Sequence, residues 1–226
     1  MDLKKKKILI ISPHPDDEAI GCGGLIAKAK DAGSSVYVFY LAAGPCRQLV
    51  TGNTDENTRL KEAKDAAKFG GFNHSFAYVG NEFMRLDSLP SKELIDKIED
   101  KIYELKPDIM CIPARNSYDQ DHRAVFDACI TALRPTPRKV RHFVKIVLGY
   151  EEPYIWTVAL LEKPSLFLDI SDCLDRKLKL LAQHKTQNRD DPFPRSKENL
   201  TRLAKLRGSE VGIPAAEAYI VHRYCV

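Results

Sequence analysis

Long hydrophobic runs are missing from this chain of 226 residues. No apolar stretch approaches the roughly 18–20 residues that span a bilayer, so no membrane span is expected. The charged N-terminus leads into a short apolar run and then Pro13, unlike a secretory signal. A C-x-x-C pair is missing too. The six cysteines, at 22, 46, 111, 129, 173 and 225, are scattered. That pattern fits buried thiols in a reducing, cytoplasmic setting better than a disulfide framework or a thiolate metal site. An excess of one charge is also lacking. The net charge is +4, and Lys4 to Lys7 supplies most of it as a solvated entry to the first strand. With no aromatic residues interleaved, nothing here points to nucleic acid as a partner. There is no internal repeat and no low-complexity linker. The length suits a single domain, 1–226, with a core over 1–135 and a C-terminal elaboration over 136–226.

What is present is an alternation of strand-like and helix-like segments. Ile8–Ser12 reads as a strand, followed by a helix from about Glu18 to Lys30 that ends at Gly33. Val36–Ala42 is a second strand. Thr54 and Asp55 can cap a helix through Phe69, stopped by Gly70-Gly71. Phe76–Val79 is a short third strand, and the spacing of Leu94, Ile95, Ile98 and Ile102 predicts a helix that begins at Ser91. Asp108–Ile112 and Asp121–Leu133 complete a βαβαβαβα order. That order implies an α/β fold, a Rossmann-like, mostly parallel sheet with helices on both faces. Beyond Pro135 the pattern predicts strands at Val144–Tyr150, Trp156–Leu161 and Leu166–Ile170. Helices are expected from Ser171 to about Lys185 and from Ser196 to Arg207.

The polar residues of interest follow the ends of strands, the edge at which open α/β sheets bind ligands. Pro13-His14-Pro15-Asp16-Asp17-Glu18 stands between the first strand and the glycine cluster Gly21-Cys22-Gly23-Gly24. His14 and Asp17, three apart at a strand-to-helix turn, can face one metal ion, and His122 from a separate loop can complete a two-histidine, one-carboxylate set. Such a set leaves room for water, whose pKa a zinc ion lowers towards roughly 7. Asp16 is then spare and can act as general base. Spacing alone leaves a second reading open. Proline and acidic residues in a first helical turn are ordinary capping chemistry.

Several spaced motifs resemble the LmbE-like, PIG-L family of zinc-dependent N-deacetylases. The hexapeptide with its glycine cluster looks like the family signature. Arg59-x-x-Glu62 is similar to its Arg/Glu pair, and Asp121-His122-Arg123-Ala124-Val125 to its second metal motif. Asp169-Ile170-Ser171 with Lys177-Leu178, Arg195-Ser196, Arg207-Gly208 and Ala216–Tyr219 resemble its C-terminal half. The resemblance implies that His14, Asp17 and His122 bind Zn2+ and that Asp16 is the general base. The implied reaction is attack of zinc-held water on the acetamide of an N-acetylglucosamine-type sugar or conjugate. It also leans towards a homo-oligomer.

One position departs from the family pattern. Many members carry His-Pro-Asp-His where this chain has Asp119-Gln120-Asp121-His122, so Asp119 replaces a histidine that steadies the oxyanion or protonates the amine. An anionic side chain cannot stabilise an oxyanion. His222 is the candidate to take over that role, its alternative being a strand histidine beside Arg223. Asp119 would then orient a catalytic group or a substrate hydroxyl. Arg47, Arg59 and Arg115 are candidates for binding phosphate or sugar hydroxyls through their guanidinium forks. Tyr118 joins them as a substrate-binding candidate, and Trp156 as a stacking surface for a sugar ring. Two other functions remain open at this stage. One is a different metal-dependent hydrolase, a phosphoesterase or amidase, and the other an inactive metal- or sugar-binding module.

Overall fold

The computed structural model describes residues 1–48, 52–80, 84–115, 117–153 and 163–225. Among these described residues nine strands and six α-helices succeed one another: β1 (Lys7–Ser12), α1 (Asp17–Asp31), β2 (Ser35–Ala43), β3 (Cys46–Gln48), β4 (Gly52–Thr54), α2 (Glu56–Gly70), β5 (Asn73–Val79), α3 (Ser91–Leu105), β6 (Ile109–Pro113), α4 (Gln120–Ala132), β7 (Ile146–Tyr150), β8 (Leu166–Asp169), α5 (Leu174–Leu181), α6 (Lys197–Ser209) and β9 (Ala216–Tyr224). Seven of the strands form one sheet in the order β5-β2-β1-β6-β7-β9-β8, and β3 and β4 form a small separate hairpin. The run β5-β2-β1-β6-β7 is parallel, and β9 is antiparallel to both of its neighbours. The fold is therefore the expected α/β class.

Alternation along β1 divides the core in two. Ile8 and Ile10 pack on one side of the sheet with Leu25 of α1, Ala63 of α2 and Leu178 of α5. Leu9 and Ile11 pack on the other with Leu94 and Ile98 of α3 and Val125 of α4. Helix ends follow local chemistry. The Asp55 carboxylate accepts the Thr58 N–H at 3.0 Å to start α2, and Gly71 ends it at φ 65°, a conformation that favours glycine.

The chain runs from β1 outwards to β2 on one side and resumes at β6 on the other. This is the point at which strand order reverses, and a crevice opens beyond the carboxyl ends of β1 and β6. The loop after β1 carries His14, Asp16 and Asp17; the loop after β6 leads into His122.

Two parts of the C-terminal reading change. The expected helix from Ser171 is shorter, because Asp169 Oδ1 accepts both the Ser171 N–H (2.9 Å) and its hydroxyl (2.6 Å) and holds that residue in a turn. A long final strand, β9, inserts between β7 and β8. The expected strand Trp156–Leu161 lies outside the described residues.

Candidate metal centre and cavity

Ser12 closes β1 and fixes the start of the next loop, its hydroxyl donating to the His14 carbonyl at 2.7 Å. The His14 N–H in turn donates to Asp17 Oδ2 at 2.9 Å. That bond ties the first turn of α1 back to the strand end. Across the crevice, His122 Nε2 lies 3.1 Å from the same Asp17 oxygen. His14, Asp17 and His122 are all buried, and one donor atom from each falls within 4.8 Å of the others.

The outer nitrogens of both imidazoles are held by carboxylates. His14 Nε2 is 3.0 Å from Asp121 Oδ2, and His122 Nδ1 is 2.6 Å from Glu152 Oε1. Each carboxylate is itself anchored. Asp121 Oδ1 accepts the Leu86 N–H at 2.9 Å, and Glu152 Oε2 accepts the Ser117 hydroxyl at 2.9 Å. An imidazole whose far nitrogen is engaged in this way has a fixed ring orientation and a more basic free nitrogen, the usual support of a metal-ligating histidine. The donor set fits a divalent metal such as zinc. Capping by Asp16 does not account for it, because the Asp16 side chain makes no cap hydrogen bond to α1.

Charge in the cluster is balanced through the same contacts. Burial pushes the Asp17 carboxyl up, but His122 and His14, through charge and hydrogen bonds together, hold it well below the usual carboxylate range. Burial disfavours the charged form of His122, yet Asp17 and Glu152 on either side raise its pKa well above the ordinary imidazole value. Asp16 differs. Burial is the dominant influence and raises its carboxyl, with Arg195 opposing and Asp17 adding to the rise.

The cluster faces a cavity of about 840 Å³ whose lining also includes Asp16, Arg47, Arg59, Tyr118, Asp119 and Arg195. Arg47 stands on β3, exposed at the rim, and Tyr118 is 60% exposed at the mouth. Arg59 is almost fully buried, with Nη2 donating to the Pro15 carbonyl at 2.9 Å. It therefore braces the loop of the hexapeptide from below. Asp119 starts α4, its Oδ1 accepting the Asp121 N–H at 2.8 Å.

Two proposed residues are not brought into the cavity. His222 lies on β9 with its ring 5.4 Å from Phe126, on the α4 side of the sheet, and it is absent from the cavity lining. Its register, beyond the Val221–Leu148 pair, sets it back from the carboxyl end of β7. The histidine that would replace the one missing at 119 is therefore not supplied from this position. Arg115 is exposed and also outside the lining. Trp156 lies outside the described residues.

Sequence reasoning assigns no site role to Glu18, Glu152, His184 or Arg195, although Glu18 and Arg195 stand in the motifs that resemble the family. Nothing local marks Glu152, because its partner is 30 positions away. His184 and Arg195 reach the first loop across still longer separations.

Comparison with known proteins gives the family and the fold. Residues 9–133 match the family described as PIG-L: GlcNAc-PI de-N-acetylase. The diacetylchitobiose deacetylase of Thermococcus kodakarensis is 28% identical over 225 residues, covering 94% of this chain and 81% of that protein. A probable N-acetyl-alpha-D-glucosaminyl L-malate deacetylase 2 of Bacillus cereus is 30% identical over 196 residues, covering 81% and 84%. Among solved structures, the conserved protein TT1542 from Thermus thermophilus superposes with a TM-score of 0.78 at 23% identity, over 98% of this chain and 96% of that one. At that identity the likeness speaks for the fold.

Proposed function

This chain belongs to the PIG-L family of GlcNAc-PI de-N-acetylases, and from that premise we propose a zinc-dependent hydrolase that removes acetyl from an N-acetylglucosamine-type sugar or its conjugate. One observation carries the reading. A buried imidazole–carboxylate–imidazole set, each imidazole backed by a second carboxylate, faces an open cavity of about 840 Å³ with a spare aspartate beside it.

His14, Asp17 and His122 would hold the metal, with Asp121 and Glu152 orienting the two rings. When bound, zinc supplies Lewis-acid polarisation of the acetamide carbonyl and makes a nearby water easier to deprotonate. Asp16 accepts the proton as that water adds to the carbonyl carbon. As the C–N bond breaks, the same proton passes to the departing nitrogen, leaving acetate and a free amine. Burial, which raises the Asp16 carboxyl, suits a group that must both take and return a proton near neutral pH. Asp119 accepts hydrogen bonds and does not steady the oxyanion. Arg47 and Tyr118 at the mouth are placed to meet sugar hydroxyls or an acidic substituent, with Arg59 beneath them.

The test offers N-acetylglucosamine and its glycoside, malate and phosphate conjugates to the purified protein and follows acetate and free amine. Acetate release without phosphate release is expected. Asp16→Asn should keep one equivalent of zinc and lose roughly 10²–10⁴-fold in kcat. Full activity in Asp16→Asn would remove the assigned base, and phosphate release in place of acetate would point to a phosphoesterase.

A further inference from the structure

Asp16 adopts φ 118° and ψ −25°, a conformation rarely taken by residues other than glycine. Holding a residue there costs on the order of 1–3 kcal/mol and requires surroundings that over-determine it. Two such restraints reach Asp16, one from Glu18 of α1 with His184 behind it and one from Arg195, and His184 and Arg195 both lie in the segment between α5 and α6. The first acts on the backbone. The Asp16 N–H donates to Glu18 Oε2 at 3.0 Å, and the other Glu18 oxygen lies 2.7 Å from His184 Nε2. Glu18 and His184 are both fully buried. The second acts on the side chain, Arg195 Nη1 donating to Asp16 Oδ2 at 3.0 Å.

The segment is itself fixed at both ends. Glu62 of α2 accepts the Thr186 N–H and the Thr186 hydroxyl, each at 2.7 Å. The residue after Arg195, Ser196, is the N-cap of α6, its hydroxyl accepting the Asn199 N–H at 3.1 Å. His184 and Arg195 thus hang from a frame anchored on two helices.

We propose that His184, acting through Glu18, and Arg195, acting on the carboxylate, are positioning residues that hold Asp16 in its working conformation. The proposal rests on Asp16 being the base. With Oδ2 committed to Arg195, proton transfer falls to Oδ1. The same arrangement gives the segment between α5 and α6 a task in the reaction, beyond covering the sheet.

The experiment compares His184→Ala, Arg195→Ala and the conservative Arg195→Lys in the zinc-loaded protein. Each alanine variant should lose about 10–100-fold in kcat with KM within about twofold and zinc stoichiometry unchanged, as expected when only the reacting geometry loosens. Added guanidinium should restore part of the kcat of Arg195→Ala and none of that of His184→Ala, and Arg195→Lys should fall between wild type and Arg195→Ala. In an Asp16→Asn background neither alanine substitution should lower the residual rate further. An unchanged kcat in folded, zinc-loaded Arg195→Ala and His184→Ala overturns the proposal. So do losses that persist in full without the base, since they mark general damage to the fold. One readout does not depend on activity: hydrogen exchange at the Asp16 amide should speed up in His184→Ala relative to wild type. A wild-type protein that releases no acetate from any N-acetylglucosamine conjugate overturns the functional reading, while amide exchange still decides whether His184 holds Asp16.

Discussion

Each imidazole of the metal set has one nitrogen turned towards Asp17 and the other fixed on a second carboxylate, and this division has a consequence for protons. Without metal, His122 lies between Asp17 and Glu152, which raise its pKa well above the ordinary imidazole value and favour its protonated form. A folded-state pKa above the unfolded value stabilises the metal-free protein fully below about pH 6.5 and is lost as pH rises through the folded value. A metal cannot use a protonated Nε2, so binding must expel that proton. Zinc titrated by calorimetry at pH 7 in buffers of different ionisation enthalpy should therefore release about one proton per ion from this site. Equal binding heats in all buffers would count against a protonated His122. The residues of this site divide by how far apart their partners stand. His14, Asp16 and Asp17 were readable because one turn holds all three, and His122 because Asp121-His122 opens a helix after a strand. Glu152 and Arg195 were not, since their role depends on which loops meet and no local pattern encodes that. His222 misled because its place after the closing motif says nothing of the face its strand presents.

At the scale of elements, α1 shows a conflict between local preference and packing. Its interior carries Gly21, Gly23 and Gly24, each costing about 1 kcal/mol relative to alanine in an exposed helix. The helix keeps them because its neighbours leave no room. A Cβ on Gly21 would stand 2.2 Å from Tyr150 Cδ2, and one on Gly24 would stand 2.4 Å from Ile170 Cγ2. The Tyr150 ring cannot swing aside cheaply, being fully buried with its hydroxyl donating to the Ile11 carbonyl at 3.0 Å. Overpacking at such a site costs typically about 1–3 kcal/mol after relaxation, which outweighs the gain in helix propensity. Gly21→Ala should accordingly lower stability by up to about 2 kcal/mol in urea denaturation, the overpacking cost less about 1 kcal/mol of helix propensity. A stabilised variant would show that propensity governs this helix. The glycine cluster was visible in the sequence, but its reason was not. The same limit explains the missed elements. The β3–β4 hairpin has three residues per strand, too few to show a period, and His222 and Arg223 interrupt the apolar alternation that would have marked β9.

On the scale of the whole molecule, the residues before and after position 135 share one sheet. β7 pairs directly with β6 and the sheet continues through β9 and β8. Residues from the second part complete structures begun in the first. Lys177 Nζ donates to the Ile20 carbonyl at 2.7 Å and to Glu217 Oε1 at 2.6 Å. Glu217 also accepts the N–H groups of Gly24 and Leu25 at 2.7 and 2.8 Å, so a buried ion pair is built against the middle of α1. Removing either partner would leave a buried charge unpaired. Glu152 holds His122, and His184 and Arg195 hold the loop of Asp16. Unfolding of the C-terminal part alone would therefore open the metal centre and strip one face of the sheet. The chain should unfold in a single transition, with calorimetric and van't Hoff enthalpies equal. Free zinc at 100 times its dissociation constant adds about 2.7 kcal/mol to the folded state. At roughly 2–4 °C per kcal/mol for a chain of this size, that raises Tm by about 5–11 °C. The metal should move the whole transition, because its three candidate ligands lie before residue 135 and Glu152, which holds His122, lies after it. A scan that separates into two transitions, with zinc shifting one alone, would show that the halves fold independently and that the C-terminal contacts to α1 and His122 are not required by the site.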